Sequence, residues 1–184
     1  MKSIWMNTLA WVAAAVAALV FAFAAPNESS VMGRMPSPLT AQRPGNQAVA
    51  LPAGLPAERT LALITFKRGQ GKEVESWIRG LQLHQDHSIP WVRMPVLNDP
   101  GNPAGRGALE NHLMAHFHTD GERANLVPVF TDQEAFIRSA SLGGPEQAYA
   151  VVISREGEVL ARVAGQFDQD KAKTLMETLK QQAF

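Results

Sequence analysis

The apolar run LALITF at residues 61–66 has the composition of a strand buried on both faces. The hydrophobic period then changes: Val74, Trp77, Ile78 and Leu81 recur at i, i+3, i+4 and i+7, the stripe of an amphipathic helix packed on a sheet. Trp91 to Leu97 predicts the next strand, Asn98 to Pro103 a loop, and Gly107 to Phe117 a helix. Leu126 to Phe130 predicts a short strand, in which Pro128 marks an edge or a strand end because it has no N–H to donate. Thr131 and Glu134 form a capping-box pattern ahead of a helix carrying Phe136, Ile137 and Ala140. AYAVVIS and EVLARVAG flank Arg155-Glu156-Gly157, a hairpin signal because Gly157 can take positive φ. Asp168 is placed to cap a last helix whose Ala172, Leu175, Met176 and Leu179 face inward.

Upstream, residues 26–60 hold six of the twelve prolines. Within them PLTAQRPGNQAVALP contains two strand-like runs around Arg43-Pro44-Gly45-Asn46, which predicts a small N-terminal hairpin. Residues 26–36 read as a tether and 37–184 as one domain. The order is hairpin, β-α-β-α-β-α, hairpin, helix. It implies an α/β three-layer sandwich: a mixed central sheet, parallel for the most part, with helices on both faces and antiparallel strands from the last hairpin.

The first 25 residues change the picture of where this domain works. Lys2 is the only early charge, an apolar run extends from Leu9 to Ala25, and Ala22 and Ala24 are spaced like a signal-peptidase site. As a helix the run rises roughly 25 Å, slightly short of the hydrocarbon core, and adding Ile4 to Met6 makes an uncleaved anchor feasible. Residues 1–25 are therefore read as a signal peptide cleaved after Ala24 or as a membrane anchor, with Trp5 and Trp11 suited to the interface and residues 4–25 contacting the membrane if retained. Either places the domain outside the cytoplasm, periplasmic, soluble or held at the inner membrane. Seventeen basic residues balance seventeen acidic ones, so no broad attraction to nucleic acid or anionic lipid is expected.

The chain has no cysteine. That removes disulfide exchange, thiol peroxidase chemistry and thiolate metal ligation. The layout with GNQAVALPAGL before LALITF, VFTDQEAFIRSASLG, and AYAVVISREGEVLARVAG before the last helix nevertheless resembles the thioredoxin superfamily, in particular its peroxiredoxin-like branch, from about Met32 to the C-terminus. The resemblance implies a thioredoxin-like fold and locates the branch's reactive cysteine in the segment Lys67 to Glu73, where this chain has no thiol. The superfamily's cis-proline is also missing: Gln147-Ala148 stands in its expected place and Pro145 is offset. Lacking both, the chain is expected not to be a thiol redox enzyme. Within the superfamily, LALITFKRGQGKEVESWIRGL, with Ser76-Trp77 in its helix, and the GEVLARVAG hairpin resemble the family of the mitochondrial ATP synthase assembly factor and its bacterial relatives. That resemblance implies a domain acting at a membrane in assembly of a complex.

Two groups of residues are candidate sites. Lys67, Arg68, Gln70 and Lys72 lie at the C-terminal end of a central strand, where open α/β sheets bind ligands, and their three positive charges could hold an anion. A plain solvated loop is the competing reading, since no GxxxxGK[ST] pattern is present. All five histidines fall between residues 84 and 118. His112 and His116, at i and i+4, could share zinc or copper, with His118 following and His84 and His87 ending the preceding helix. The competing reading puts His116 at the border of the core near Leu109, bonded to a backbone carbonyl or water, and His84 and His87 at a helix C-terminus favoured by its dipole. Trp77 is expected in the core, and Asp99, Asp120 and Glu122 in solvated loops without calcium-loop spacing. The function expected is that of an exported, redox-inactive binding protein with a protein partner, an accessory or assembly factor at a membrane without a cofactor. The alternative is a periplasmic metal-binding protein using the histidines.

Overall fold

The computed structural model describes residues 31–43, 47–117 and 119–181. The export or anchor segment, the tip of the N-terminal hairpin and His118 lie outside them. In chain order the elements are β1 (Gly33–Arg34), β2 (Leu39–Arg43), β3 (Gln47–Leu51), β4 (Arg59–Thr65), a 3₁₀ turn (Arg68–Gln70), α1 (Gly71–Gly80), β5 (Trp91–Asn98) and α2 (Pro103–Met114). They continue with α3 (Asp120–Ala124), β6 (Val129–Thr131), α4 (Gln133–Ser139), β7 (Tyr149–Ser154), β8 (Glu158–Ala164) and α5 (Gln169–Lys180).

One sheet runs in the order β1-β8-β7-β4-β5-β6-β2-β3. It is mixed with helices on both faces, as expected, but the parallel part is confined to β4-β5 and β5-β6. The expectation of a mostly parallel sheet is corrected because β7 enters antiparallel beside β4, pairing Arg59 with Ser154 through Ile64 with Tyr149. The N-terminal hairpin forms, in register from Leu39↔Leu51 to Arg43↔Gln47, and extends the sheet by pairing Ala41 with Val129. The packed chain also begins before residue 37: Gly33 and Arg34, expected in the tether, pair with Val159 and Glu158, and Met35 behind them is buried. A side chain at Gly33 would meet the Ala140 backbone at 2.7 Å, so only glycine permits this approach.

Two apolar layers sandwich the sheet. On one face Val74, Trp77 and Ile78 of α1 and Ala172 and Leu175 of α5 pack on Leu61, Leu63, Ala150 and Val152. On the other, Phe136 and Ala140 around α4 cover Ile64, Met94, Val96 and Val151. Alternation along β4 thus feeds both layers, which is why Leu61 to Ile64 are apolar without interruption. The cap at α5 is as read, Asp168 accepting from the N–H groups of Asp170 and Lys171. At α4 the cap is Asp132, accepting from Ala135 N–H, rather than Thr131, which remains the last residue of β6. β6 lies inside the sheet, so Pro128 marks the strand's start, not an edge.

α2 departs most from expectation. It starts at Pro103, four residues early, because Asn102 accepts from Gly105 N–H at 2.7 Å and Pro103 suits the first turn. It ends at Met114, and none of its residues is buried. His116 is accordingly exposed, not at the core border. The buried residue of this stretch is Phe117 beyond the helix, with the Arg93 guanidinium 4.9 Å from its ring centre. Asp120 and Glu122, expected in a loop, belong to the short α3, which opens with a Thr119–Glu122 capping box.

Without a buried stripe, α2 depends on its N-terminal anchors. The Asp99 carboxylate accepts from Arg106 Nε at 2.9 Å and from Gly101 N–H at 2.9 Å, and these bonds, Arg106's first, hold its carboxyl below the usual carboxylate range. A depressed folded-state pKa means the anchor is complete above the unfolded value, about 3.9, and is lost as the pH falls through the folded one. Acidification should therefore lower the amide protection factors at Gly105 and Arg106 before the sheet loosens, and Asp99→Asn should reproduce this at neutral pH with little change in the global melting temperature. Equal loss of protection in β4 and α2 would contradict it.

Candidate functional site

The segment between β4 and α1 faces the loop before β7, and three side chains cross the gap. Gln70 is 3% exposed; its Oε1 accepts from the N–H groups of Phe66 at 2.7 Å and Lys67 at 3.1 Å, and its Nε2 donates to the Pro145 carbonyl at 2.7 Å. Glu73 in the first turn of α1 accepts from Ala148 N–H at 2.8 Å. At the rim Lys67 Nζ pairs with Glu146 at 2.7 Å, an exposed ion pair of the kind that contributes little to stability. Ser76 is also engaged, donating to the Glu73 carbonyl at 2.6 Å and accepting from Phe167 N–H at 2.9 Å.

Chemically this is a brace. The Pro145 carbonyl and the Ala148 N–H are backbone groups that an approaching chain could pair with, and each already has an internal partner. Of the four residues expected to hold a ligand, Lys67, Arg68 and Lys72 have exposed side chains, while Gln70 turns its amide inward. The cis peptide bonds among the described residues precede Pro38 and Pro52, neither of them in this loop. The departure at Gln147-Ala148 is visible in the sequence, whereas the bracing role of Gln70 and Glu73 is not. No local pattern carries that role, because the partners are 75 residues away.

Beyond the brace a cleft of about 390 Å³ opens between the Gly143–Gln147 loop, Tyr149 and the last residues of β8. Arg162 lines it, and Arg162 Nη1 is buried without a hydrogen-bond partner among the described residues. Tyr149 donates its hydroxyl to the Gly144 carbonyl at 2.9 Å.

The histidines are only partly brought together. The rings of His112 and His116 lie 5.1 Å apart, and His116 Nδ1 is 2.8 Å from the His112 carbonyl. A carbonyl only accepts, so Nδ1 carries the proton there and Nε2 of the neutral ring keeps its lone pair. His84 and His87 do not end α1, which stops at Gly80; they follow it in a turn, His84 edge-on to Trp91 at 5.7 Å. Among the described residues no three metal-ligating side chains converge, and no helix is long and apolar enough to cross a membrane.

No family model and no curated protein matches the chain. Solved structures do match its fold. A candidate electron transfer protein from Aquifex aeolicus VF5 superposes with a TM-score of 0.53 at 12% identity, covering 82% of this chain and 95% of that one. BsSco, a member of the Sco family of cytochrome c oxidase assembly proteins, superposes with a TM-score of 0.52 at 16% identity, covering 79% and 92%. Arabidopsis thaliana ScoI with copper bound gives 0.50 at 14% identity, covering 79% and 97%. At such identities the likeness is one of fold, and the fold of this chain is thioredoxin-like.

Proposed function

We propose that this protein is an exported, redox-inactive thioredoxin-like domain that works by binding a protein partner, as an accessory or assembly factor at the periplasmic face of a membrane. The brace carries the reading. The position that the superfamily resemblance reserves for a thiol is filled by Gln70 and Glu73, whose side chains close the gap to Pro145 and Ala148. With no cysteine anywhere in the sequence, the fold is left with surfaces rather than with thiol chemistry. The apolar run from Leu9 to Ala25 supports export, and the resemblance to the ATP synthase assembly factor family supports a role in assembly. A shared fold with a member of the Sco family of cytochrome c oxidase assembly proteins is consistent with it.

In-cell cross-linking from Lys67 and Lys72, both exposed on the rim of the braced loop, tests this. The expected result is reproducible capture of a defined subunit of a membrane complex. A well-folded, exported chain that captures none overturns the reading.

The proximity of His112 and His116 favours a second reading, metal binding. Two imidazoles leave a tetrahedral ion short of ligands, so His118 or a partner would have to complete the set. If the pair holds zinc or copper, His112→Ala and His116→Ala each abolish stoichiometric metal after equilibration and desalting. Unchanged metal content in both variants eliminates the site.

A further inference from the structure

We infer that the cleft beside the brace is a carboxylate-binding site anchored by Arg162. On β8 Arg162 pairs with Val151, and its side chain lines the cleft together with Gly143, Gly144 and Tyr149. A guanidinium nitrogen removed from water without an acceptor keeps its desolvation cost uncompensated, and Arg162 Nη1 is such a nitrogen. Among the described residues none that lines the cleft supplies a counter-charge that Arg162 Nη1 reaches. The carboxylate among the lining residues, Glu146, is 75% exposed and engaged by Lys67. Tyr149 donates its hydroxyl to the Gly144 carbonyl, and its oxygen, though able to accept, takes no hydrogen bond from Arg162 Nη1.

The missing group is an anion, and the surroundings select its kind. Among the described residues Arg162 is the one cationic side chain that lines the cleft, whose other walls include Gly143, Val163, Ala164 and neutral Gln147. A phosphate dianion would need a second cation or a row of free N–H groups, whereas one planar guanidinium matches a single carboxylate. The site stands independently of the assembly reading. If that reading holds, the carboxylate belongs to an acidic residue or C-terminus of the partner; if it does not, a free small acid supplies the same group.

Amide and guanidinium NMR of the labelled full chain, titrated with sodium acetate against sodium chloride at equal ionic strength, tests the site. Saturable shifts at Gly143, Gly144, Val163, Ala164 and the Arg162 side chain are expected with acetate and not with chloride. Arg162→Gln should weaken the apparent affinity by about tenfold or more, the loss of roughly one charge-assisted hydrogen bond, and Arg162→Lys by less. No saturable acetate shift in the wild-type chain overturns the proposal, as does an undiminished response in a folded Arg162→Gln variant. The wild-type titration decides the matter should both variants fail to fold. A blocked tripeptide with a central Glu distinguishes the sources: tighter binding than acetate indicates a peptide carboxylate, and binding of acetate alone a free acid. Partner capture from Lys67 and Lys72 is read separately, so failure of the cleft and failure of the assembly reading are distinct results.

Discussion

Trp77→Ala should destabilise the domain by about 3–5 kcal/mol, the range for truncating a large buried aromatic. Trp77 is 1% exposed and sits where α1, the sheet and the β8–α5 connection meet. Its ring meets Phe167 edge-on at 5.2 Å, and its Nε1 donates to the Gly165 carbonyl at 2.9 Å. Truncation removes apolar area, leaves a cavity that Val74 and Ile78 cannot fill without moving α1, and takes the donor from the half-buried Gly165 carbonyl. Against a typical total of about 5–15 kcal/mol, the variant would be marginally folded. The check is urea unfolding: the midpoint should fall sharply with little change in slope. Trp77→Phe should cost less, since it keeps most of the packing and loses the hydrogen bond. A loss below about 1 kcal/mol for Trp77→Ala would mean that the α1 layer contributes far less than its burial implies.

Gln70→Ala should cost about 2–5 kcal/mol, more than its few buried atoms suggest. One side chain satisfies two N–H groups and one carbonyl, and removing it leaves Phe66 N–H and Lys67 N–H without an acceptor and the Pro145 carbonyl without a donor. Each buried orphan costs roughly 1–3 kcal/mol unless water reaches it. The two variants should differ in where the damage shows. Trp77→Ala weakens global stability, whereas Gln70→Ala should speed hydrogen exchange first at Phe66 and Lys67. Ala148 N–H, held by Glu73, should follow only if the two crossings act together. Unaltered exchange at Phe66 and Lys67 would show that the brace is dispensable. A loosened brace with an intact sheet would also test the binding reading, because the captured partner should change when the loop does.

Most of the elements were legible because they are settled by neighbours in the chain. The stripe Val74-Trp77-Ile78, the cap at Asp168 and the turn at Gly157, whose φ is +85°, each depend on residues within a few positions. The errors are equally instructive. Capping chemistry at Thr131 and Asp132 is nearly degenerate in sequence, and the sheet decided it by keeping Thr131 in β6 beside Asn98. Helical angle sets His116 near Leu109, but angle does not say how closely anything packs on that side: Leu109 is only half-buried, no residue of α2 is fully buried, and His116 is exposed.

Residue type and short-range spacing are enough for the alternation of strands and helices, both hairpins, the apolar layers that β4 feeds, and the exclusion of thiol chemistry. Tertiary packing sets β7 antiparallel beside β4, docks the N-terminal hairpin on β6, closes Gln70 and Glu73 on Pro145 and Ala148, and leaves Arg162 Nη1 buried without a hydrogen-bond partner among the described residues. Those outcomes depend on contacts between residues far apart in the chain, where pairing is chosen by which buried polar groups can be satisfied and which apolar faces covered at once, a condition that no local window of sequence contains.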